Sequence, residues 1–259
     1  MRKLSWVVAV VAMLVAASSA TSSADGGFKS VDFPAAGGIK ARADVYGSKN
    51  ESAALILLFH QAGWSRGEYR EIAPKLVKKG YRVMAMDQRS GGGVNGVSNE
   101  THRRAAKRGL ARDYLDAYED LEAALTYARK RLKAKRVVVW GSSYSASLVF
   151  RLTSEHPTEV SAVMAFAPGE YFRKQGSTYI QDFARQVTQP VFVTSSKKER
   201  EQVKPIFDAS PAEKKVLFTP ASKGQHGSRA LWDRWPDSDV YWTAVNGFLE
   251  TYAPPAPQP

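Results

Sequence analysis

Residues 54–60, ALILLFH, are apolar without a break up to the closing histidine. A strand with one wet face alternates apolar and polar positions, so an unbroken run of this length reads as a strand buried on both faces. The same pattern recurs in YRVMAMD (81–87), RVVVWG (136–141), VSAVMAFAP (160–168), PVFVTS (190–195) and KKVLFTP (214–220). Upstream, FKSVDF and IKARADVY flank PAAGG, which predicts a β-hairpin.

Between these runs the apolar spacing switches to three and four. Tyr69, Ile72, Ala73, Leu76 and Val77 share one helical face, and Gly80 stops it. After a glycine-rich loop, Leu110, Tyr114, Tyr118, Leu121, Leu125, Ala128 and Leu132 predict one long amphipathic helix. SASLVFRLTSEH (145–156) predicts another helix. RALWDRW (229–235) and VYWTAVNGFLETY (240–252) predict a closing helical region broken near Pro236. Buried strands alternating with helices place the chain in the α/β class. The expected architecture is a single doubly wound, mostly parallel sheet with helices on both faces. Neither a repeat nor a Pro/Ser-rich linker interrupts it, so one domain is expected over residues 25–252.

Composition narrows the chemistry. The chain has 259 residues, 44% of them hydrophobic, which suits a sizeable core. It has no cysteine. Disulfides, thiolate metal sites, a cysteine nucleophile and a lipidated cysteine are therefore excluded. Arg2 and Lys3 precede an apolar run from Leu4 to Ala17, and SSATSSA follows. This is the pattern of a secretory signal peptide over residues 1–24, with cleavage after Ala20 or Ala24. Export to a periplasm or the exterior is the expectation. The run is short for a bilayer span, which needs roughly 20 residues. The tail 253–259 reads as disordered.

The formal charge is +12, and removal of Arg2 and Lys3 leaves 12 − 2 = +10. The basic clusters at 102–112, 129–136 and 195–200 read as solvated faces. Without an aromatic-interleaved basic strand or a zinc finger, nucleic acid is not an expected partner. Residues 86–100, MDQRSGGGVNGVSNE, lack the Gly-Lys-Ser/Thr that a phosphate loop needs. They read as structural or substrate-lining. No His/Asp/Glu cluster has metal-ligand spacing, and no cofactor is expected.

VVVWGSSYSASL (137–148) concentrates the chemistry. A buried strand ends at Gly141, and a helix opens two residues later. A serine raised on a tight strand-to-helix turn needs small neighbours two before and two after it. Gly141 and Ser145 meet that need around Ser143. Such a serine needs a base, and the base needs an orienting acid. The chain has four histidines. His60 ends a strand, His102 falls in a basic loop, and His156 ends the helix that Ser143 starts. His226, in a glycine-flanked loop after the last strand, can approach Ser143. Glu199, shortly past the strand PVFVTS, is the candidate acid, with Glu170 as the alternative and Asp208 placed too far along a helical stretch.

With strands, elbow and His loop in this arrangement, the chain resembles the α/β-hydrolase superfamily from Phe28 to Tyr252. The order Ser, acid, His along the chain is that of the superfamily. The short segment 166–189 leaves no room for a large lid, so the chain looks like the compact dienelactone-hydrolase-like members. Those carry a cysteine nucleophile, and serine esterases of similar build are the closer comparison. His60-Gln61-Ala62-Gly63-Trp64 takes the place of the superfamily's HG oxyanion loop, with Gln61 where the glycine stands. The resemblance implies oxyanion donors from the N–H of Tyr144 and from Gln61 or Ala62. It implies a serine hydrolase that cleaves a small-molecule or surface-displayed carboxylic ester through an acyl-enzyme on Ser143, and the signal-peptide pattern makes it an exported one. A peptidase or amidase with the same triad, and a binding protein that kept the fold alone, are the alternatives.

Overall fold

The computed structural model describes residues 27–47 and 50–255. The leader expected at 1–24 and the last residues of the expected tail lie outside them. Strands β1 (Phe28–Ala35) and β2 (Ile39–Tyr46) pair antiparallel from Phe28↔Tyr46 to Ala35↔Ile39. The predicted hairpin is present, turned by Ala36–Gly38 with Gly37 at φ 75°. β3 (Leu55–Phe59) leads through a 3-10 turn, Arg66–Tyr69, into α1 (Ile72–Lys78) and then β4 (Arg82–Met86). A short ribbon follows, β5 (Gly93–Val94) with β6 (Val97–Ser98), and then α2 (Glu100–Lys107) and α3 (Tyr118–Lys130). β7 (Val137–Ser142), α4 (Tyr144–Glu155), β8 (Ala162–Phe166) and α5 (Tyr179–Ala184) come next. β9 (Val191–Thr194), α6 (Arg200–Ala209), β10 (Lys215–Phe218) and α7 (Ser238–Tyr252) complete the described chain.

The main sheet has the order β1-β2-β4-β3-β7-β8-β9-β10. Only the β1–β2 and β2–β4 pairs are antiparallel. Side chains along a strand alternate between faces, and both faces are covered. Leu55, Leu57 and Phe59 pack with residues of α3, α4, α5 and α6, while Ile56 and Leu58 pack with α1 and α7. That is why β3 reads as continuously apolar. Under the second face, Trp140, Phe166, Phe192 and Phe248 form a file of rings with centroids 4.5, 5.8 and 5.5 Å apart. Each such pair adds about 0.5–1.5 kcal/mol beyond burial and ties β7, β8 and β9 to α7.

The register places the strand ends level with one another. Phe59 pairs with Gly141, Ser142 with Phe166, and Thr194 with both Phe166 and Phe218. The loops after β3, β7, β9 and β10 therefore open on a common edge of the sheet, where an open α/β sheet presents its site.

Two expectations fail in detail. The long helix from Leu110 starts only at Tyr118. Gly109, at φ 65°, ends α2, and the Leu110 amide turns back to the Ala105 carbonyl at 3.0 Å. Tyr114 leaves the helical stripe to stack on Tyr144. The stretch holding His102, expected as loop, is helix α2. Asn99 caps it by accepting from the His102 amide at 2.7 Å.

Candidate active site

Ser143 sits between β7 and α4 with φ 60° and ψ −123°. That backbone is strained for any residue with a Cβ, and it persists where the surroundings impose it. Gly141 makes the turn possible, because a Cβ there would lie 2.2 Å from the Ser145 carbonyl oxygen. Ser145 stands where the superfamily has its second glycine. Its hydroxyl donates to the His60 carbonyl at 2.6 Å and accepts from Gln88 Nε2. The extra side chain thus pins the head of α4 to the end of β3.

His226 reaches Ser143 from the loop after β10. Its Nε2 lies 2.8 Å from Ser143 Oγ, and its Nδ1 lies 2.6 Å from Glu199 Oε1. The tautomer that satisfies both contacts donates Nδ1–H to the carboxylate and accepts the serine hydroxyl at Nε2. Glu199 ends the short 3-10 turn Lys197–Glu199, and its other oxygen accepts the Ser196 hydroxyl and amide at 2.5 and 3.2 Å. Burial alone would raise this carboxyl. The hydrogen bonds from His226 and Ser196 outweigh it and hold the group down to about 2. The acid and histidine loops are laced together. Lys197 N–H donates to Lys223 O at 3.0 Å, and the Tyr241 hydroxyl donates to Ser195 O while accepting from the Gln225 amide.

Glu170 takes no part in this relay. Its carboxylate accepts the Ile180 and Gln181 amides at 2.8 and 3.0 Å, capping α5, so the alternative acid is ruled out by its own bonds. Gln61 is likewise removed as an oxyanion donor, since its amide donates to Glu68 Oε2 at 2.8 Å. The amides of Ala62 and Tyr144 donate to no group among the described residues. Of the three expected donors, these two amides are the ones left unused.

The other histidines serve structure. His60 is fully buried. It accepts the Gln88 amide at Nε2 and donates Nδ1–H to Gln61 O, and burial lowers it to about 4. His102 contacts Arg89 O, and His156 lies between Glu122 and Glu159.

Two residues escaped the sequence reading. Glu68 is fully buried and bridges Gln61 to Ser142, whose hydroxyl donates to Oε1 at 2.7 Å. Burial pushes its carboxyl up to about 7, against the hydrogen bonds from Ser142 and Gln61 and the charge of Arg229. The Tyr171 hydroxyl donates to Ala167 O at 2.9 Å and meets Gln202 Nε2 at 3.4 Å. Nothing in the periodicity marks either residue. Their contacts, from Glu68 to Ser142 and from Tyr171 to Gln202, join segments distant in sequence.

Over residues 50–227 the sequence matches the family described as serine aminopeptidase, S33. The chain belongs to this family of α/β hydrolases. Monoacylglycerol lipase of Mycolicibacterium smegmatis is 25% identical over 136 residues, 52% of this chain and 45% of the lipase. The match thus spans about half the length of that relative. The esterase Pf2001 of Pyrococcus furiosus superposes with a TM-score of 0.63 at 17% identity, covering 87% of this chain and 93% of its own. A dienelactone hydrolase of Anabaena variabilis gives 0.67 at 15% identity, covering 88% and 99%. The α/β-hydrolase fold is shared by both structures.

A cavity of about 420 Å³ in this S33-family chain is lined by Tyr114, whose ring stacks on Tyr144, and by Leu115, Tyr171, Phe172, Arg173 and Lys174 among others. Among the described residues no three His, Asp or Glu side chains are grouped to hold a metal ion, and no helix is long and apolar enough to cross a membrane.

Proposed function

We propose that the chain is an exported serine hydrolase that cleaves carboxylic esters through an acyl-enzyme on Ser143. The observation that carries the reading is the continuous relay Glu199–His226–Ser143, with contacts of 2.6 and 2.8 Å on a strained turn. His226 Nε2 takes the Ser143 proton as Oγ attacks the ester carbonyl carbon. Glu199 holds the imidazole in the required tautomer and stabilises its charged form. The carbonyl oxygen becomes an oxyanion held by the Ala62 and Tyr144 amides, each such donor worth about 2.7–4 kcal/mol. His226 then gives its proton to the departing alcohol. A water, deprotonated by the same nitrogen, cleaves the acyl-enzyme and restores Ser143.

The cavity bounded by Tyr114, Leu115, Tyr171 and Phe172 supports a small apolar or aromatic group on the substrate. The monoacylglycerol lipase and the esterase among its relatives favour esters. The S33 description, serine aminopeptidase, keeps amide cleavage as the second reading. The signal-peptide pattern of residues 1–24 supports export.

Fluorophosphonate labelling with mass mapping, beside turnover of p-nitrophenyl esters and peptide anilides, tests the proposal. Labelling at Ser143 is expected, and its loss with Ser143→Ala or His226→Ala. Each substitution should lower ester kcat by several orders of magnitude. A folded parent that is not labelled at Ser143 is a binding protein on this fold. Faster anilide than ester turnover replaces the esterase with a peptidase.

A further inference from the structure

Glu68 is a buried carboxylate with no direct part in the proton relay. Burying a charge is costly unless hydrogen bonds compensate, and replacement by an apolar side chain is often tolerated. Among the described residues no cation forms a salt bridge with it. What it has is two acceptor oxygens between two loops, Oε1 also taking a longer contact from Gln61 Nε2 at 3.5 Å. Oε2 accepts the Gln61 amide at 2.8 Å, in the loop after β3. Oε1 accepts the Ser142 hydroxyl at 2.7 Å, in the elbow after β7. Ser142 Oγ in turn accepts the Ser228 amide at 2.9 Å, two residues past His226.

The carboxylate is itself firmly seated. Its backbone amide donates to Ser65 O at 3.0 Å, and Trp232 Nε1 donates to its carbonyl at 2.9 Å. The neighbouring Tyr69 hydroxyl donates to Phe59 O at 2.7 Å, at the end of β3. Each donor to the carboxylate lies one or two residues before a proposed oxyanion donor. Gln61 precedes Ala62, and Ser142 lies two residues before Tyr144. These two amides come from loops that no strand pairing connects beyond Phe59↔Gly141.

We propose that Glu68 is the positioning residue of the oxyanion site, its two carboxylate oxygens tying the loop of Ala62 to the turn of Tyr144. The inference rests on the acyl-enzyme reading above. It also accounts for Gln61 in place of glycine: the amide at that position is used to hold the loop, and the next amide is left for the substrate. Glutamine at 68 offers one acceptor where two donors need one each, and its NH₂ meets a donor or displaces it.

The test compares the parent with Glu68→Gln, Ser142→Ala and the double variant. It measures kcat and KM on a p-nitrophenyl ester, affinity for a trifluoromethyl ketone that forms a tetrahedral adduct, fluorophosphonate labelling, and thermal unfolding. Glu68→Gln should lower kcat by about 10²-fold, the effect of misplacing a reacting geometry by about 1 Å. KM should hardly move, and ketone affinity should fall in parallel with kcat/KM. Ser142→Ala should lose less. The double variant should be no worse than Glu68→Gln alone, because both cut the same tie.

A merely structural role lowers Tm while the folded fraction keeps its kcat and ketone affinity, and that result overturns the proposal. So does a loss confined to KM. If Glu68→Gln does not fold, Ser142→Ala carries the test, and parental kcat and ketone affinity there overturn it. A parent that neither labels nor turns over ester overturns the functional reading and this inference together. A parent that does both, beside a folded Glu68→Gln variant with parental kcat, overturns this inference alone.

Discussion

Ser145→Gly restores the residue common at this position of the superfamily's elbow, and it should damage the protein. The Ser145 hydroxyl is the partner recorded for the His60 carbonyl, at 2.6 Å in a fully buried setting. Without it a buried acceptor is left unpaired, at about 1–3 kcal/mol. Glycine in place of serine at the head of α4 adds about 0.5 kcal/mol. Gln88 Nε2 keeps one N–H on the Tyr144 hydroxyl at 2.9 Å, while its second N–H, which donated to Ser145 Oγ, loses its partner and adds to the cost. The His60 carbonyl and the glycine together come to about 1.5–3.5 kcal/mol, so Tm should fall by at least roughly 3–14 °C for a domain of this size. Thermal and urea unfolding of parent and variant measure it. The relay atoms are untouched, so ester turnover well below Tm should persist. An unchanged or raised Tm refutes the view that Ser145 fastens the elbow to β3.

Other consequences are open to simple assays. Glu199 lies near 2 in the folded chain against an ordinary 4.5, so its contribution is complete above the ordinary value and disappears as pH falls from about 5 to about 2. At most about 3 kcal/mol is involved; the stability gap between parent and Glu199→Gln should shrink over that window, and parallel pH–stability curves would contradict it. Gly227→Ala places a Cβ 2.5 Å from Ser142 Oγ at φ 69°, and the resulting shift of His226 should lower kcat by about 10²-fold. Glu170→Ala should leave the kcat of ester turnover intact and weaken α5 by about 1 kcal/mol, read by urea unfolding. Leu57→Ala, in the fully buried middle of β3, should cost about 2–5 kcal/mol without changing the activity of the folded fraction.

What could be read from the amino-acid order follows from how local each signal is. β3 and β7 are apolar on both faces because both faces are covered, so their runs announce themselves. Ser143 is marked by Gly141 before it and a helix start after it. Glu199 and His226 are expected from their places after successive strands, and their side chains lie 2.6 Å apart. α2 was missed because its buried residues are only Thr101 and Ala105. Its order comes from Asn99 and from Asp87, which accepts the Glu100 amide at 2.8 Å. The expected helix from Leu110 ran too far because Leu110 and Tyr114 are apolar at helical spacing and yet serve tertiary contacts. Gln61 could not be separated from Ala62 as a donor, since the difference lies in a bond to Glu68.

His226, the proposed base, depends on the weakest edge of the sheet. β10 pairs with β9 alone, over four residues, and all four of its residues are only half-buried. His226 follows eight residues later and meets Ser143 across 83 residues of chain. Regions with few buried contacts open at lower free energy than the global transition. Fraying of β10 therefore withdraws the histidine while the hairpin, β3, β7 and their helices stay folded. In mild denaturant, turnover should fade before the far-ultraviolet circular dichroism changes, and it should return last on refolding, once this edge strand has docked.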